Sequence, residues 1–456
     1  MATLADLQFW VVVWIVVAAF LFGRHWRSGR GVGLLLTFVV SLGSIDWLAS
    51  AMFLLPWNPA TGLQFVTDGM RLSAIAIMAV AVGSEIVARW WSRRRPLPLV
   101  TAEPEAFARI DPVVVNVFLV VGLTLHVVMA PLTKTIPSIG ALVSTGSSLL
   151  VVGIALKCWD AWQEGRTGRM WLWLAGTLFL PLFTVVTMGF LGYGLEAMVM
   201  VFAFVGAFYR PRWQVLAIGT VVAYLGLSVY VTYMRDRTEI RTAVKVGASL
   251  SERLSTIGDT ARQAELFTIY DLSHLARIED RLDQNWLVGA AVAKLSSGAV
   301  PFAYGSTIED AALAVVPRMF WPEKTVAVGS GDLVSRFTGL SFQGDTSVGI
   351  GQLMECYVNF GEAGVVIGFL IIGGLLAIVD RAAYDGLASG HIGSFLVWYM
   401  PGLNLLNVGG SFVDATSAAA AALVMALIMR VVIAHWRGST STGAVSLRGA
   451  DVAGGR

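Results

Sequence analysis

Charge is scarce in this sequence. Asp, Glu, Lys and Arg make up 14% of its 456 residues, against about 25% in a soluble domain. Hydrophobic residues make up 56%, and the mean hydropathy is +0.71. These values exclude an ordinary water-soluble fold and imply a chain that lives in a membrane. Cysteine is nearly absent. The topology read below puts Cys158 and Cys356 on opposite faces, which excludes a disulfide between them and a thiolate metal site. The five histidines (His25, His126, His274, His391 and His435) keep no metal-ligand spacing, so no metal and no cofactor is expected. There is no G-x-x-x-x-G-K-[ST], C-x-x-C, H-E-x-x-H or G-x-S-x-G, which removes P-loop ATP hydrolysis and three common catalytic signatures. A net charge of +2 gives no basic field for nucleic acid.

What is present is long apolar runs. A spanning helix needs about 20 mostly apolar residues. Eleven stretches qualify, at 7–23, 33–55, 70–90, 112–131, 138–157, 170–188, 191–209, 213–234, 357–379, 393–409 and 415–435. The expected fold is therefore an all-α integral membrane protein of about 11 transmembrane helices with one large extracytoplasmic loop. The first run carries its arginines after it, at Arg24 and Arg27, and reads as a retained helix rather than a signal peptide.

Lys and Arg in short loops stay cytoplasmic, and here they follow every odd run. The sets are Arg24, Arg27 and Arg30; Arg89, Arg93–Arg95 and Arg109; Lys157, Arg166 and Arg169; Arg210 and Arg212; Arg381; and Arg430 and Arg437. The other short loops hold one lysine, Lys134. This alternation places the N-terminus outside, the C-terminus inside and the interval 235–356 outside. The chain divides into a membrane bundle (1–234), an outer loop (235–356), three further spans (357–437) and a Gly/Ser-rich tail (438–456) expected to be disordered.

The outer loop holds twelve Lys/Arg and fifteen Asp/Glu. Residues 264–284 place Leu266, Ile269, Leu272, Leu275, Ile278 and Leu282 at spacings of three and four, which predicts one amphipathic helix. The apolar stretch from Trp286 to Val300 is short and broken by Lys294, as in a re-entrant or interfacial segment. A short helix is expected around Ile308–Val316.

Several loop residues are candidates for chemistry. Arginine grips phosphate oxygens through a planar fork, and Arg277, Arg281, Arg318 and Arg336, with Lys324, stand where a lipid-borne phosphate would lie. Arg277 and Arg281 can equally pair with Glu279, Asp280 and Asp283 on a solvated face. Trp321 and Tyr357 can stack on a sugar ring or anchor at the bilayer surface. Gln352, Glu355 and Asn359 share one helical face at the mouth of a span. Glu355 is a candidate general base or the partner of Arg318 or Arg281, and His274 is the other candidate base. Asp46 and Glu196 fall within spans, where acidic groups are costly.

The order of these motifs carries a resemblance. It is P-F-x-Y-G at Pro301–Gly305, then P-R-x-F-W-P-x-K at Pro317–Lys324, then G-x-L-x-E-x-Y-x-N-F-G at Gly351–Gly361, directly before a span. Over about 235–365 the chain resembles the O-antigen or oligosaccharide repeat-unit polymerases, the Wzy-type proteins. Met354 stands where that family commonly has Leu, and Val316 where it has Ile. The resemblance implies a metal-independent GT-C-like glycosyltransferase of the bacterial inner membrane. It would join polyprenyl-pyrophosphate-linked oligosaccharide units at the periplasmic face, with a chain-length regulator and a flippase as partners. Arg277, Arg281, Arg318, Lys324 and Arg336 would meet the pyrophosphate, with Trp321, Tyr357 and Asn359 beside the substrate. Glu355, or else His274, would take the acceptor's proton. The alternatives are an O-antigen ligase, which uses the same donor, and a transporter of lipid-linked sugars.

Overall fold

The computed structural model describes residues 3–59, 61–94, 110–127, 139–316, 321, 330–342 and 348–453. Among them there is no strand. The first half runs α1 (Leu4–Ser28), α2 (Leu34–Leu42), a π-helical turn (Gly43–Trp47), α3 (Leu48–Met52), α4 (Leu63–Arg94), α5 (Pro112–Val127), α6 (Ile139–Gln163), α7 (Thr167–Gly176), α8 (Phe179–Met188) and α9 (Gly192–Phe208). The second half runs α10 (Arg212–Lys245), α11 (Leu250–Arg262), α12 (Leu272–Leu282), α13 (Gln284–Ser296), α14 (Ser306–Ala314), α15 (Ser330–Thr338), α16 (Gln352–Ala388), α17 (Ile392–Asn404) and α18 (Phe412–Ala453).

Among the described residues each apolar run falls largely on helix, because a backbone in hydrocarbon must satisfy its own hydrogen bonds. Seven described helical stretches are long and apolar enough to cross a bilayer: α1, α2 through α3, α4, α7 through α8, α10, α16 and α18. Within α5 and α9 the apolar helices are shorter, and α17 spans Ile392–Asn404 only. Two spans are interrupted. The 33–55 run passes through the π turn that carries buried Asp46, and the 170–188 run breaks between α7 and α8. The final helix continues to Ala453, into the tail read from composition as disordered.

α16 is the axis of the bundle and lies against α4, with α17 beside it. A Cβ on Gly83 would run into the Leu370 carbonyl, and one on Gly373 into the Val80 carbonyl, so α4 and α16 touch backbone to backbone. Membrane helices gain packing contact in this way where water offers no driving force. α13 sits on the N-terminal end of α4 by the same device, with Gly289 against Phe65 and Gly69 against Asn285. An aromatic layer closes the other side, where Trp159 meets Phe208 at 5.0 Å and Phe395 meets Tyr399 at 4.8 Å.

The arginine-bearing ends of several helices gather at one end of the bundle. Arg24 pairs with Glu85 at 2.7 Å, Arg381 donates to the Arg30 carbonyl at 3.3 Å, and Arg212 donates to the Trp26 carbonyl. The described part of the 235–356 loop lies at the opposite end, at the start of α16. α10 is 34 residues long, about 50 Å at 1.5 Å per residue. It therefore overreaches a ~30 Å hydrocarbon layer and extends into the loop region.

Candidate functional site at the loop end of the bundle

The stretch expected to be one helix over 264–284 is extended up to α12 (Leu272–Leu282), and its last residue, Gln284, already opens α13. The cause lies on α10. Tyr224, Ser228 and Thr232 stand at intervals of four, on one face of that helix. Ser228 accepts the Phe267 N–H at 3.0 Å, Thr232 accepts the Glu265 N–H at 3.1 Å, and the Tyr224 hydroxyl donates to the Phe267 carbonyl at 3.2 Å. A ladder of hydroxyls thus satisfies an extended segment that would otherwise have coiled, and Asp271 then caps α12 by accepting the Ser273 N–H at 2.8 Å.

This path delivers Glu265 to a cluster of cations. Its Oε1 lies 2.6 Å from Arg235, and its Oε2 lies 3.0 Å from both Arg277 and His274. The His274 ring first, then Arg235 and Arg277, hold the Glu265 carboxyl down to about 2. His274 is buried, its Nδ1 accepts the Thr268 N–H at 3.3 Å, and its Nε2 faces Glu265. A ring that accepts at Nδ1 carries its proton on Nε2 and donates it to Glu265. Neither nitrogen is left to take a proton from a substrate.

A second group stands one turn further along α10. Arg237 and Arg241 are four residues apart on α10, and both lie within electrostatic range of Arg281 on α12. Burial first, and the charges of Arg237 and Arg241 with it, hold the Arg281 guanidinium below its ordinary range. Tyr230 lies close to Arg281 and Arg237, and the Tyr233 hydroxyl accepts from Arg237. Arg241 lies over the Phe190 ring at 4.6 Å, and its buried Nε has no hydrogen-bond partner among the described residues. Tyr193, 57% exposed, is within electrostatic range of Arg241 on one side and of Asp414 on the other.

Asp414 leads to the third group, at the start of α16, since it and Asp310 are the charged neighbours of Glu355. The shared polar face of Gln352, Glu355 and Asn359 is present and buried, at 3%, 0% and 0% exposure. Each residue laces α16 to another segment. Gln352 donates to the Leu405 and Asn407 carbonyls, both at 3.2 Å. Glu355 Oε2 accepts the Phe412 N–H at 2.6 Å, at the first turn of α18, where backbone donors lack intrahelical partners. Asn359 accepts the Gly305 N–H at 2.8 Å and donates to the Thr307 hydroxyl at 2.7 Å. Glu355 Oε1 meets no donor in hydrogen-bonding geometry, with the Thr307 hydroxyl beside it. No described arginine or lysine pairs with Glu355, so the expected salt bridge to Arg281 is not formed.

A break in α16 sets this segment apart. Phe360 has φ −142° and Gly361 has φ 63° and ψ −147°, a backbone that only glycine adopts without strain. Residues 352–359 thereby form a separate short helix above the span. Tyr357 is buried on it, bonded to Ser296 and packed 6.3 Å from Phe302, so its ring is a packing surface rather than an open platform.

The remaining candidates stand apart. Arg336 is exposed on α15, 5.1 Å from the Phe337 ring, and its carbonyl accepts from Lys294 at 2.9 Å. Trp321 is exposed. Arg318 and Lys324 lie outside the described residues. Cys158 and Cys356 are both free and buried. Among the described residues no group of three His, Cys, Asp or Glu is arranged to hold a metal. The residues that sequence reasoning missed are Arg237, Arg241, Tyr193 and Asp414. The spacing of four between the two arginines was the signal available for them.

No protein-family model, no curated protein and no solved structure matches the chain.

Proposed function

We propose that this chain is a membrane glycosyltransferase that joins polyprenyl-pyrophosphate-linked oligosaccharide repeat units at the outer face of a bacterial inner membrane. The observation that carries the reading is the convergence of Arg237, Arg241 and Arg281 with Tyr230 and Tyr233 at the loop end of the bundle, next to Tyr193 and the acidic pair Asp414 and Glu355. Three guanidiniums held together repel one another, and an anion with several oxygens relieves that repulsion. The orientation adopted is the one set by the arginine-rich short loops, with the N-terminus outside and the C-terminus inside.

In this reading the arginines hold the pyrophosphate of the donor, with Arg277 at the edge of the cluster and Arg318 and Lys324 supplied by the P-R-x-F-W-P-x-K segment. A hydroxyl of the acceptor sugar attacks the anomeric carbon of the donor. The bond from that carbon to the phosphate oxygen breaks, and polyprenyl pyrophosphate leaves with the electron pair. Guanidiniums stabilise the charge that develops on the leaving oxygen. The hydroxyl proton passes to Glu355, whose Oε2 is anchored by the Phe412 N–H; because the carboxylate is fully buried, acceptor binding has to open a path to Oε1 past Thr307. His274 is given no base role because both ring nitrogens are engaged.

The test is deletion of the protein in its native host, followed by complementation. Loss of long polymer with single lipid-linked units left at the outer face supports polymerisation. Polymer of normal length that fails to reach its final carrier would mean a ligase. Units trapped on the cytoplasmic side would mean a transporter.

A further inference from the structure

We propose that the non-helical segment leading into α12, residues 264–272, is an interfacial anchor seated in the bilayer leaflet at the loop end of the bundle. Leu266, Ile269 and Leu272 meet acyl chains there, with Trp57 and Tyr270 at the headgroup level. Nothing in this placement depends on which reaction the chain carries out.

The depth follows from α10. That helix is long and apolar enough to cross a bilayer, and its apolar run ends at Met234, where Arg235, Asp236 and Arg237 begin. Ser228 and Tyr224 hold the backbone of Phe267. They precede Arg235 by 7 and 11 residues, which is about 10 and 16 Å along the helix at 1.5 Å per residue. The segment is therefore level with the apolar part of α10, below its first charge. A second marker agrees. The Tyr233 hydroxyl donates to the Gly189 carbonyl at 2.7 Å, in the turn between α8 and α9. The end of that helical hairpin is thus level with Tyr233, and Phe267 lies inward of it. Interfacial segments bury their apolar side chains by a similar depth, about 5–10 Å into the headgroup–acyl boundary.

The side chains face two ways. Phe267 is buried with Met52, Val231, Leu275 and Ile278. Leu266 and Tyr270 are 67% and 74% exposed, and Ile269, Leu272 and Trp57 are exposed as well. Trp57 lies 4.9 Å from the Tyr270 ring, and its Nε1 donates to the Ile269 carbonyl at 2.7 Å. Val221, one turn below Tyr224, and Leu225 are exposed too, so the patch continues the apolar face that a spanning α10 turns to lipid. Trp and Tyr collect at membrane interfaces. Backbone near hydrocarbon needs partners when it is not helical, and here it has them. Besides the bonds to α10, the Thr268 N–H donates to His274 Nδ1 at 3.3 Å and the Asp271 N–H to the Thr268 carbonyl at 3.4 Å. The two acidic side chains of the segment are engaged. Glu265 is held by Arg235, Arg277 and His274. Asp271 accepts the Ser273 N–H at 2.8 Å, and its Oδ2 lies 3.8 Å from His274.

Cys158 and Cys356 are buried, so a cysteine introduced at the surface takes a label selectively. Leu266→Cys and Tyr270→Cys, with Ser255→Cys on the exposed polar face of α11 as a water-facing reference, are each labelled with bimane in the full-length protein. The labelled proteins are placed in phosphatidylcholine nanodiscs. Brominated acyl chains should extinguish most of the emission from the first two labels and little from the third, and aqueous iodide should do the reverse. Iodide quenching at Leu266→Cys and Tyr270→Cys equal to that at Ser255→Cys would put the segment in water and overturn the proposal. Protection from both quenchers would mean that a second copy or another part of the chain covers the patch, and would overturn it too. Either labelled variant decides alone if the other fails to fold.

Discussion

Asp283→Asn is expected to stabilise the protein in alkaline solution and to do so less in acid. Asp283 caps α13, accepting the Trp286 N–H at 3.0 Å. It is 8% exposed, with Glu279 beside it. Burial pushes its carboxyl from 3.8 up to about 7. The folded state therefore keeps a proton that the unfolded chain has released, and stability falls as pH rises from about 4 to about 7. A rise of roughly three units at about 1.4 kcal/mol each makes the ionised group cost about 4 kcal/mol near pH 8 and about 1.5 kcal/mol near pH 5. Asparagine keeps the capping oxygen and caps about as well as aspartate. The variant should therefore gain about 2.5 kcal/mol more at pH 8 than at pH 5. Denaturant unfolding of the detergent-solubilised protein at both pH values, followed by tryptophan fluorescence, measures this difference. An equal effect at the two pH values, or a less stable variant at pH 8, would refute the assignment of a buried, proton-retaining cap.

Three further changes test other parts of the structure. Gly361→Ala forces a side chain into a glycine-only backbone and should cost roughly 1–3 kcal/mol, whereas Gly258→Ala on α11, where a Cβ meets open space, should be neutral or stabilising in the same unfolding assay. Glu265 is depressed to about 2, so its contribution is present above its unfolded value of about 4.5 and is lost as pH falls from there toward 2. Hydrogen exchange in α12 should accelerate across that acid window in the native chain, and already at neutral pH in Glu265→Gln. Glu355→Gln retains an acceptor for the Phe412 N–H and should unfold normally while losing at least ~100-fold in activity, whereas Glu355→Ala should also lose roughly 1–3 kcal/mol of stability.

The helices were legible because hydrocarbon imposes one rule on every span. The apolar runs needed no tertiary information, and the helix expected around Ile308–Val316 corresponds to α14. The loop was less legible, because its local pattern was overruled from a distance. Leu266 and Ile269 have helical spacing, yet Ser228 and Thr232 on a spanning helix take the backbone groups that a helix would have used. The same rerouting gave His274 a carboxylate partner nine residues away, which no spacing rule would have paired with it. The shared face of Gln352, Glu355 and Asn359 could be read from periodicity, but its partners on α14 and α18 could not. Arg237 and Arg241 were passed over because charge at the end of a span is ordinary. What sets them apart is Arg281, which approaches them from another helix.

The account rests on the arginine cluster acting on a pyrophosphate leaving group. The direct measurement uses purified protein in nanodiscs, a synthetic polyprenyl-pyrophosphate-linked oligosaccharide, and product length read by mass spectrometry. The native chain should convert single units into a ladder. Arg241→Gln and Arg281→Gln should each slow that conversion by at least ~100-fold, since each removes positive charge from the leaving group, with the fold unchanged. Polymer formed at the native rate by both variants, or no elongation by the native chain with this donor, would contradict it.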